Sequence, residues 1–228
     1  MLRAWGSPAV YDAENALMAT LADGELMARA VEGLVAVTLA RVSDLGARRV
    51  VGLIGTGNNG ADALYALAHL AAAGIPAAAV TTDRGHDGAL AAAVEAGVVL
   101  VSSAEPQPPA SRECKTRRGS GAFLGESCTL DSDGGGASEA VRVIEDADIV
   151  LDGLLGIGGR PEVPDFAKAW VDAIPGQAYV IAVDLPTGAY PAGRSGDPDG
   201  VFADETVTFS VLKPVHLAPA TEARVGRL

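Results

Sequence analysis

The sequence predicts one α/β domain: a Rossmann-like, doubly wound, mostly parallel sheet in a three-layer αβα sandwich, with two helices leading into it. Three observations predict this fold. Short apolar runs recur at 49–55, 77–82, 98–102, 148–151 and 179–183. Segments with helical apolar spacing separate them. Three of the runs end on polar, glycine-containing turns, where open parallel sheets bind their ligands.

Apolar residues first follow the period of a helix, with Val10, Ala13, Leu17 and Leu21, then Leu26, Ala30, Leu34 and Val37; Gly24 divides the stretch into two helices. Arg49 to Gly55 is short, apolar and closed by glycine, as suits a strand buried on both faces. Leu64, Leu67, Ala68 and Ala71 lie on one face of the helix that follows, and Gly74 supplies its stop. The unit repeats with a strand at 77–82, a helix at 87–96 and a strand at 98–102.

From Ser103 to about Gly136 the composition turns to Pro, Ser, Gly, Arg and Glu with no period. Such a segment has little apolar surface to offset its ordering entropy, so a disordered insertion is expected inside a domain spanning 1–228. Cys114 and Cys128 both fall in it, and a reduced pair is favoured over a disulfide. Regular elements resume with a helix at 137–145, a strand at 148–151, a helix at 165–174, a strand at 179–183 and an alternating strand at 205–211.

Charge and composition exclude some partners. A net charge of −12 opposes nucleic acid, whose affinity derives from Lys and Arg neutralising phosphates. With no apolar run of membrane-spanning length, and no signal-peptide pattern at the start, a soluble, cytoplasmic protein is expected. His69, His86 and His216 lack the mutual spacing of a transition-metal site. Gly193-Arg194-Ser195-Gly196-Asp197 lacks the closing glycine of a nucleophile elbow.

The chemistry concentrates at three strand ends. Gly55-Thr56-Gly57-Asn58-Asn59-Gly60-Ala61-Asp62 satisfies G-x-G-x-x-G, and Asp83 stands where a dinucleotide-binding protein would hold a ribose. Taken alone, that favours an NAD-dependent dehydrogenase. Asp62, however, puts negative charge where pyrophosphate would meet the helix N-terminus, unless it only complements the helix dipole. Asp152 follows a buried strand and precedes a glycine-rich turn through Gly159 and Arg160, either a phosphate cradle or a structural turn. Asp184, with Pro186, Thr187 and Gly188 after it, is either an acid/base group or a turn cap. Asn59, Asp152 and Thr187 together offer an amide oxygen, a carboxylate and a hydroxyl, hard donors suited to an alkali or alkaline-earth cation.

Gly57-Asn58-Asn59-Gly60-Ala61-Asp62, Asp152-Gly153-Leu154-Leu155-Gly156 and Val183-Asp184-Leu185-Pro186-Thr187-Gly188 resemble, in order and spacing, the three signatures of YjeF N-terminal domains. Thr206-Val207-Thr208-Phe209 and Lys213-Pro214 fit as well, so the resemblance covers the chain apart from the insertion. It implies an NAD(P)H-hydrate epimerase that interconverts the R and S forms of NADHX and NADPHX. A fused or separate ADP- or ATP-dependent dehydratase would then restore the nucleotide.

By the family pattern Asn58, Asn59, Gly60, Ala61 and Asp62, with Gly156, Ile157, Gly158, Gly159, Arg160, Pro161 and Glu162, line the hydrate site. By the same pattern Asp184 contacts the substrate, and Asn59, Asp152 and Thr187 surround potassium, K+; its strand-end carboxylate makes Asp184 the residue expected to handle the proton at the hydrated C6 centre. Ala61 and Ala63 stand where relatives have glycine and are expected to narrow the ligand's approach. A non-catalytic nucleotide-binding or scaffold module of the same fold is the alternative. Preference between NADHX and NADPHX, and whether the chain forms a homodimer, are not legible.

Overall fold

The computed structural model describes residues 3–82, 85–102, 135–158 and 162–228. Asp83, both cysteines, Gly159, Arg160, Pro161 and nearly all of the expected insertion lie outside the described residues. Two helices, α1 (Ser7–Met18) and α2 (Glu25–Leu45), precede the sheet. Gly24 adopts a left-handed conformation, φ 79°, between them.

The strands are β1 (Val50–Ile54), β2 (Ala77–Thr81), β3 (Val99–Ser102), β4 (Ile149–Gly153), β5 (Tyr179–Val183) and β6 (Glu205–Val207). The intervening helices are α3 (Asn58–Ala72), α4 (Asp87–Glu95), α5 (Gly135–Glu145) and α6 (Asp165–Asp172). Two short helices, α7 (Pro214–Leu217) and α8 (Glu222–Val225), close the chain. All strand pairs are parallel, in the order β3-β2-β1-β4-β5-β6. Chain direction across the sheet reverses between β1 and β4, which makes that gap the topological switch point.

Alternation along each strand divides the core between two helical layers. Ile54, Ile149, Leu151, Ile181 and Val183 pack with α2, α3 and α4, whereas Val51, Leu53, Val150, Val180 and Ala182 pack with Ile144 of α5 and Trp170 of α6. The expected sandwich is therefore present, and every strand pair in it is parallel. Registry then fixes the site, because Leu53 pairs with Asp152, Asp152 with Ala182, and Val183 with Val207. Asp152 and Asp184 emerge at the same carboxyl edge.

Two expectations need correction. The strand expected at 205–211 stops at Val207, because Thr208 and Phe209 turn to donate hydrogen bonds to Asp184 rather than extend the ladder. Ser210 then takes a left-handed φ of 62°. Ala61 and Ala63 do not narrow a ligand approach: both methyl groups are buried in the α3 side of the core.

Candidate active site

A crevice of about 1090 Å³ opens beyond the carboxyl ends of β1, β4, β5 and β6, walled on its far side by α1 and α2. A smaller hollow of about 300 Å³ at the opposite edge is bordered by the loops before β1 and β4 and holds none of the expected chemistry. Of the expected hydrate-site residues, Asn58, Asn59, Asp62, Gly156, Ile157, Gly158 and Asp184 line the large crevice. Gly60 and Ala61 do not line it: a Cβ on Gly60 would stand 2.0 Å from the carbonyl oxygen of Gly55, and the Ala61 methyl is in the core. Glu162 is exposed outside it and accepts a 3.2 Å hydrogen bond from the Tyr190 hydroxyl.

Asp184 is the most constrained group of the site. Its φ of 67° is left-handed, a conformation that costs an L-residue about 1–3 kcal/mol and is kept only where the surroundings impose it. The surroundings are specific. Its N–H donates to Val207 O, and its own carbonyl oxygen lies 2.7 Å from Nε2 of His216. Because Nδ1 of His216 accepts from the Lys213 N–H at 3.0 Å, the ring proton belongs on Nε2, which donates to Asp184. Burial holds this imidazole below its ordinary pKa, against the favourable pull of Asp184, so the neutral tautomer fits the network.

The Asp184 carboxylate receives three donors on one oxygen. Lys213 Nζ lies 2.5 Å from Oδ1, the Thr208 hydroxyl 3.1 Å and the Phe209 N–H 3.3 Å. Among the described residues no donor reaches Oδ2, which leaves that oxygen available to a ligand in the crevice. The Lys213 ammonium is itself satisfied, donating also to Thr208 Oγ1 and Phe209 O. With Lys213 1% exposed, this is an ion pair held inside the protein.

Of the three candidate cation ligands, Asp152 and Thr187 are in direct contact, and Asn59 bonds to the turns beside them. Asp152 is completely buried; its two oxygens accept from the N–H and the hydroxyl of Thr187, each at 2.7 Å, and Oδ1 accepts from Leu154 N–H at 3.4 Å. Burial pushes its pKa up to about 6 against the lowering effect of those bonds. Thr187 Oγ1 in turn accepts from Leu155 N–H. Asn59 bridges the same turns, its amide donating to Leu155 O at 3.0 Å and Val183 O at 2.6 Å.

Asp62 differs from both aspartates. It lies on α3, lines the crevice and is 6% exposed, yet among the described residues its buried Oδ1 has no hydrogen-bond partner. Burial first, then repulsion from Asp184 and Glu14, pushes its pKa up to about 7. Reading the sequence did not single out Lys213, Thr208, His216, Tyr11 or Glu14 as working parts of this site. For Lys213 a signal exists, a lone lysine inside Val211-Leu212-Lys213-Pro214-Val215. For Tyr11 and Glu14 only the fold shows that α1 covers the crevice.

Residues 23–215 match the profile of the family described as YjeF-related protein N-terminus. Among curated relatives, the NAD(P)H-hydrate epimerase of Clavibacter sepedonicus is 32% identical over 95% of this chain and 83% of its own length. The bifunctional NAD(P)H-hydrate repair enzyme Nnr of Mycobacterium leprae is 33% identical over 91% of this chain, which spans only 37% of that longer protein. The crystal structure of yeast ynu0 superposes with a TM-score of 0.69 over 93% of this chain and 82% of its own, at 16% identity, and so shares the fold. Among the described residues no helix is long and apolar enough to cross a membrane. With the matched profile spanning both helical layers and all three strand-end turns, the chain belongs to the YjeF-related protein N-terminus family.

Proposed function

We propose that this protein epimerises NAD(P)H hydrate, interconverting the R and S forms of NADHX and NADPHX at the hydrated C6 carbon. One observation carries the reading: the Asp184 carboxylate is fixed by Lys213, Thr208 and Phe209 through one oxygen while it lines a crevice at the sheet's switch point. A carboxylate so held can exchange a proton at a bound carbinolamine without reorganising. The names of relatives at 32% and 33% identity support the same substrate class.

The groups around the carboxylate have separable tasks. Lys213 pairs with Asp184 and aims it, and His216 holds the backbone turn that presents it. The turns at Thr56–Asn59 and Leu154–Gly158 border the crevice and offer backbone N–H groups to an anionic ligand. Asn59, Asp152 and Thr187 fit potassium as a donor set of hard oxygens. Either placement of the Asn59 amide has the same shape, and turning its oxygen toward the carbonyls of Leu155 and Val183 would leave an all-oxygen cluster that favours a cation. Bound there, potassium would supply positive charge that offsets the site's carboxylates beside the dinucleotide phosphates. A fused or separate ADP- or ATP-dependent dehydratase would consume the S hydrate in a cytoplasmic repair sequence.

The test is initial R-to-S conversion of purified NADHX and NADPHX, read with an S-specific dehydratase and compared with a no-enzyme control. Wild type should exceed the control, and Asp184→Asn should lose about 10²–10⁴-fold of the rate while hydrate binding changes much less. No rate above control with retained binding would instead identify a non-catalytic nucleotide-binding module. Hydride transfer, read as a change in the absorbance of reduced nicotinamide, would instead identify a dehydrogenase.

A further inference from the structure

We propose that Asp62 is the second proton-transfer residue of this site, the acid that protonates the departing C6 hydroxyl while Asp184 accepts the proton of the water that replaces it. This rests on the epimerase reading. The two carboxyls line one crevice, yet their environments are opposite. Asp184 has an ammonium and two further donors on Oδ1. Asp62 is buried with an oxygen that meets no donor among the described residues.

The facing groups explain the contrast. From α1, Glu14 and Tyr11 border the crevice; from the end of β5 comes Asp184; Arg29 of α2 is paired with Glu25; and Lys213 is committed to Asp184. Glu14 and Asp184 both repel negative charge on Asp62, and among the described residues no cation is paired with it. A carboxyl so placed, its pKa pushed up to about 7, holds its proton closer to neutral pH than an ordinary aspartate does, while Asp184 is paired with an ammonium. Two carboxyls whose surroundings favour different protonation states form an acid and base pair.

The chemistry balances with these two groups. Asp62 gives its proton to the C6 hydroxyl, the C6–O bond breaks, and the N1 lone pair forms the C6=N1 iminium. Water adds to the other face of C6, its oxygen bonding to carbon and its proton passing to Asp184. The next turnover in the same direction follows return of that proton to Asp62 through solvent. The reverse epimerisation runs the two roles backwards. No oxidant or reductant takes part.

The experiment compares wild type, Asp62→Asn, Asp62→Ala and Asp184→Asn at saturating hydrate, with hydrate binding and melting temperature measured for each. Asp62→Asn should lose about 10²–10⁴-fold in kcat while its hydrate Kd stays within about threefold of wild type. Wild-type kcat should decline as pH rises above about 7, where Asp62 loses its proton. That decline should be missing from the residual rate of the variant. A kcat for Asp62→Asn within about threefold of wild type overturns the assignment. If neither Asp62 variant folds, the wild-type profile decides: a kcat flat from about pH 6 to 9 overturns it and a decline supports it. An inactive wild type overturns the epimerase reading and this one together, whereas an active wild type with active Asp62→Asn overturns this one alone.

Discussion

The ammonium of Lys213 lies 2.5 Å from Oδ1 of Asp184, with side chains 1% and 7% exposed. Removing one partner of a buried ion pair strands the other charge and typically costs about 3–5 kcal/mol. Lys213→Met should therefore lower stability by about that amount in denaturant titration, and Asp184→Asn by less, because asparagine keeps an acceptor for the ammonium. Lys213→Met with Asp184→Asn should be more stable than the two separate losses predict. Strict additivity would show that the pair is not energetically coupled.

His216 gives the fold a pH dependence whose sign follows from its lowered pKa. Between its folded pKa and the ordinary 6.5, the unfolded chain binds more protons than the native one, so stability from this group rises with pH. It is complete above 6.5 and lost as pH falls through the folded value. Asp62 works in the opposite direction, since its raised pKa makes stability fall as pH rises from 3.8 toward about 7. The total slope mixes both. The melting-temperature gap between wild type and His216→Gln isolates one of them, and it should shrink as pH drops below about 6.5. A gap constant from pH 5 to 8, on the order of the histidine's full titration range, would show that the imidazole does not titrate with folding.

Why the sequence revealed some of this and not the rest is a matter of range. Strands at 50–54 and 179–183 were legible because burial on both faces demands continuous apolar runs, and α3 because its stripe ends at Gly74. Asp184 is legible as a crevice residue, and Asp152 as a buried neighbour at the same edge, because a parallel sheet gathers its strand ends on one side. The pairing of Lys213 with Asp184 depends on Thr208 and Phe209 leaving the ladder, which local alternation through Val211 conceals. From its position alone Asp62 is either a helix-dipole residue or a charge set against an anionic ligand. Only packing shows that one of its oxygens has no partner among the described residues.

The cation prediction turns on Asn59, Asp152 and Thr187. If potassium binds the native fold there, the melting temperature should rise with potassium concentration relative to a bulky organic cation at equal ionic strength, by about 2.7 kcal/mol of stability at a hundredfold excess over Kd. Asp152→Asn should abolish the dependence, and Thr187→Ser should keep it because the hydroxyl is retained. Equal melting in both salts, with equal hydrate affinity, would remove potassium from the site.

The glycines of Gly55-Thr56-Gly57-Asn58-Asn59-Gly60 have different physical reasons, and alanine substitutions separate them. A Cβ on Gly55 would stand 1.8 Å from Leu154 O and one on Gly60 2.0 Å from Gly55 O, both backbone atoms that cannot swing aside. These positions let α3 seat against β1 and the β4 turn, so each alanine should destabilise by about 2 kcal/mol or more. Gly57 has no atom within 4 Å of its would-be Cβ, and its φ of −94° is open to any L-residue. At Gly57 the entropic gain from alanine opposes the preference of helix N-caps for glycine, so stability should stay within about 1 kcal/mol. Because Gly57 lines the crevice, its alanine variant should change hydrate KM while leaving the fold intact. Chemical denaturation of the three variants checks the ranking; a Gly57→Ala loss equal to that of Gly60→Ala would mean that the motif is packing throughout, with no glycine reserved for the ligand.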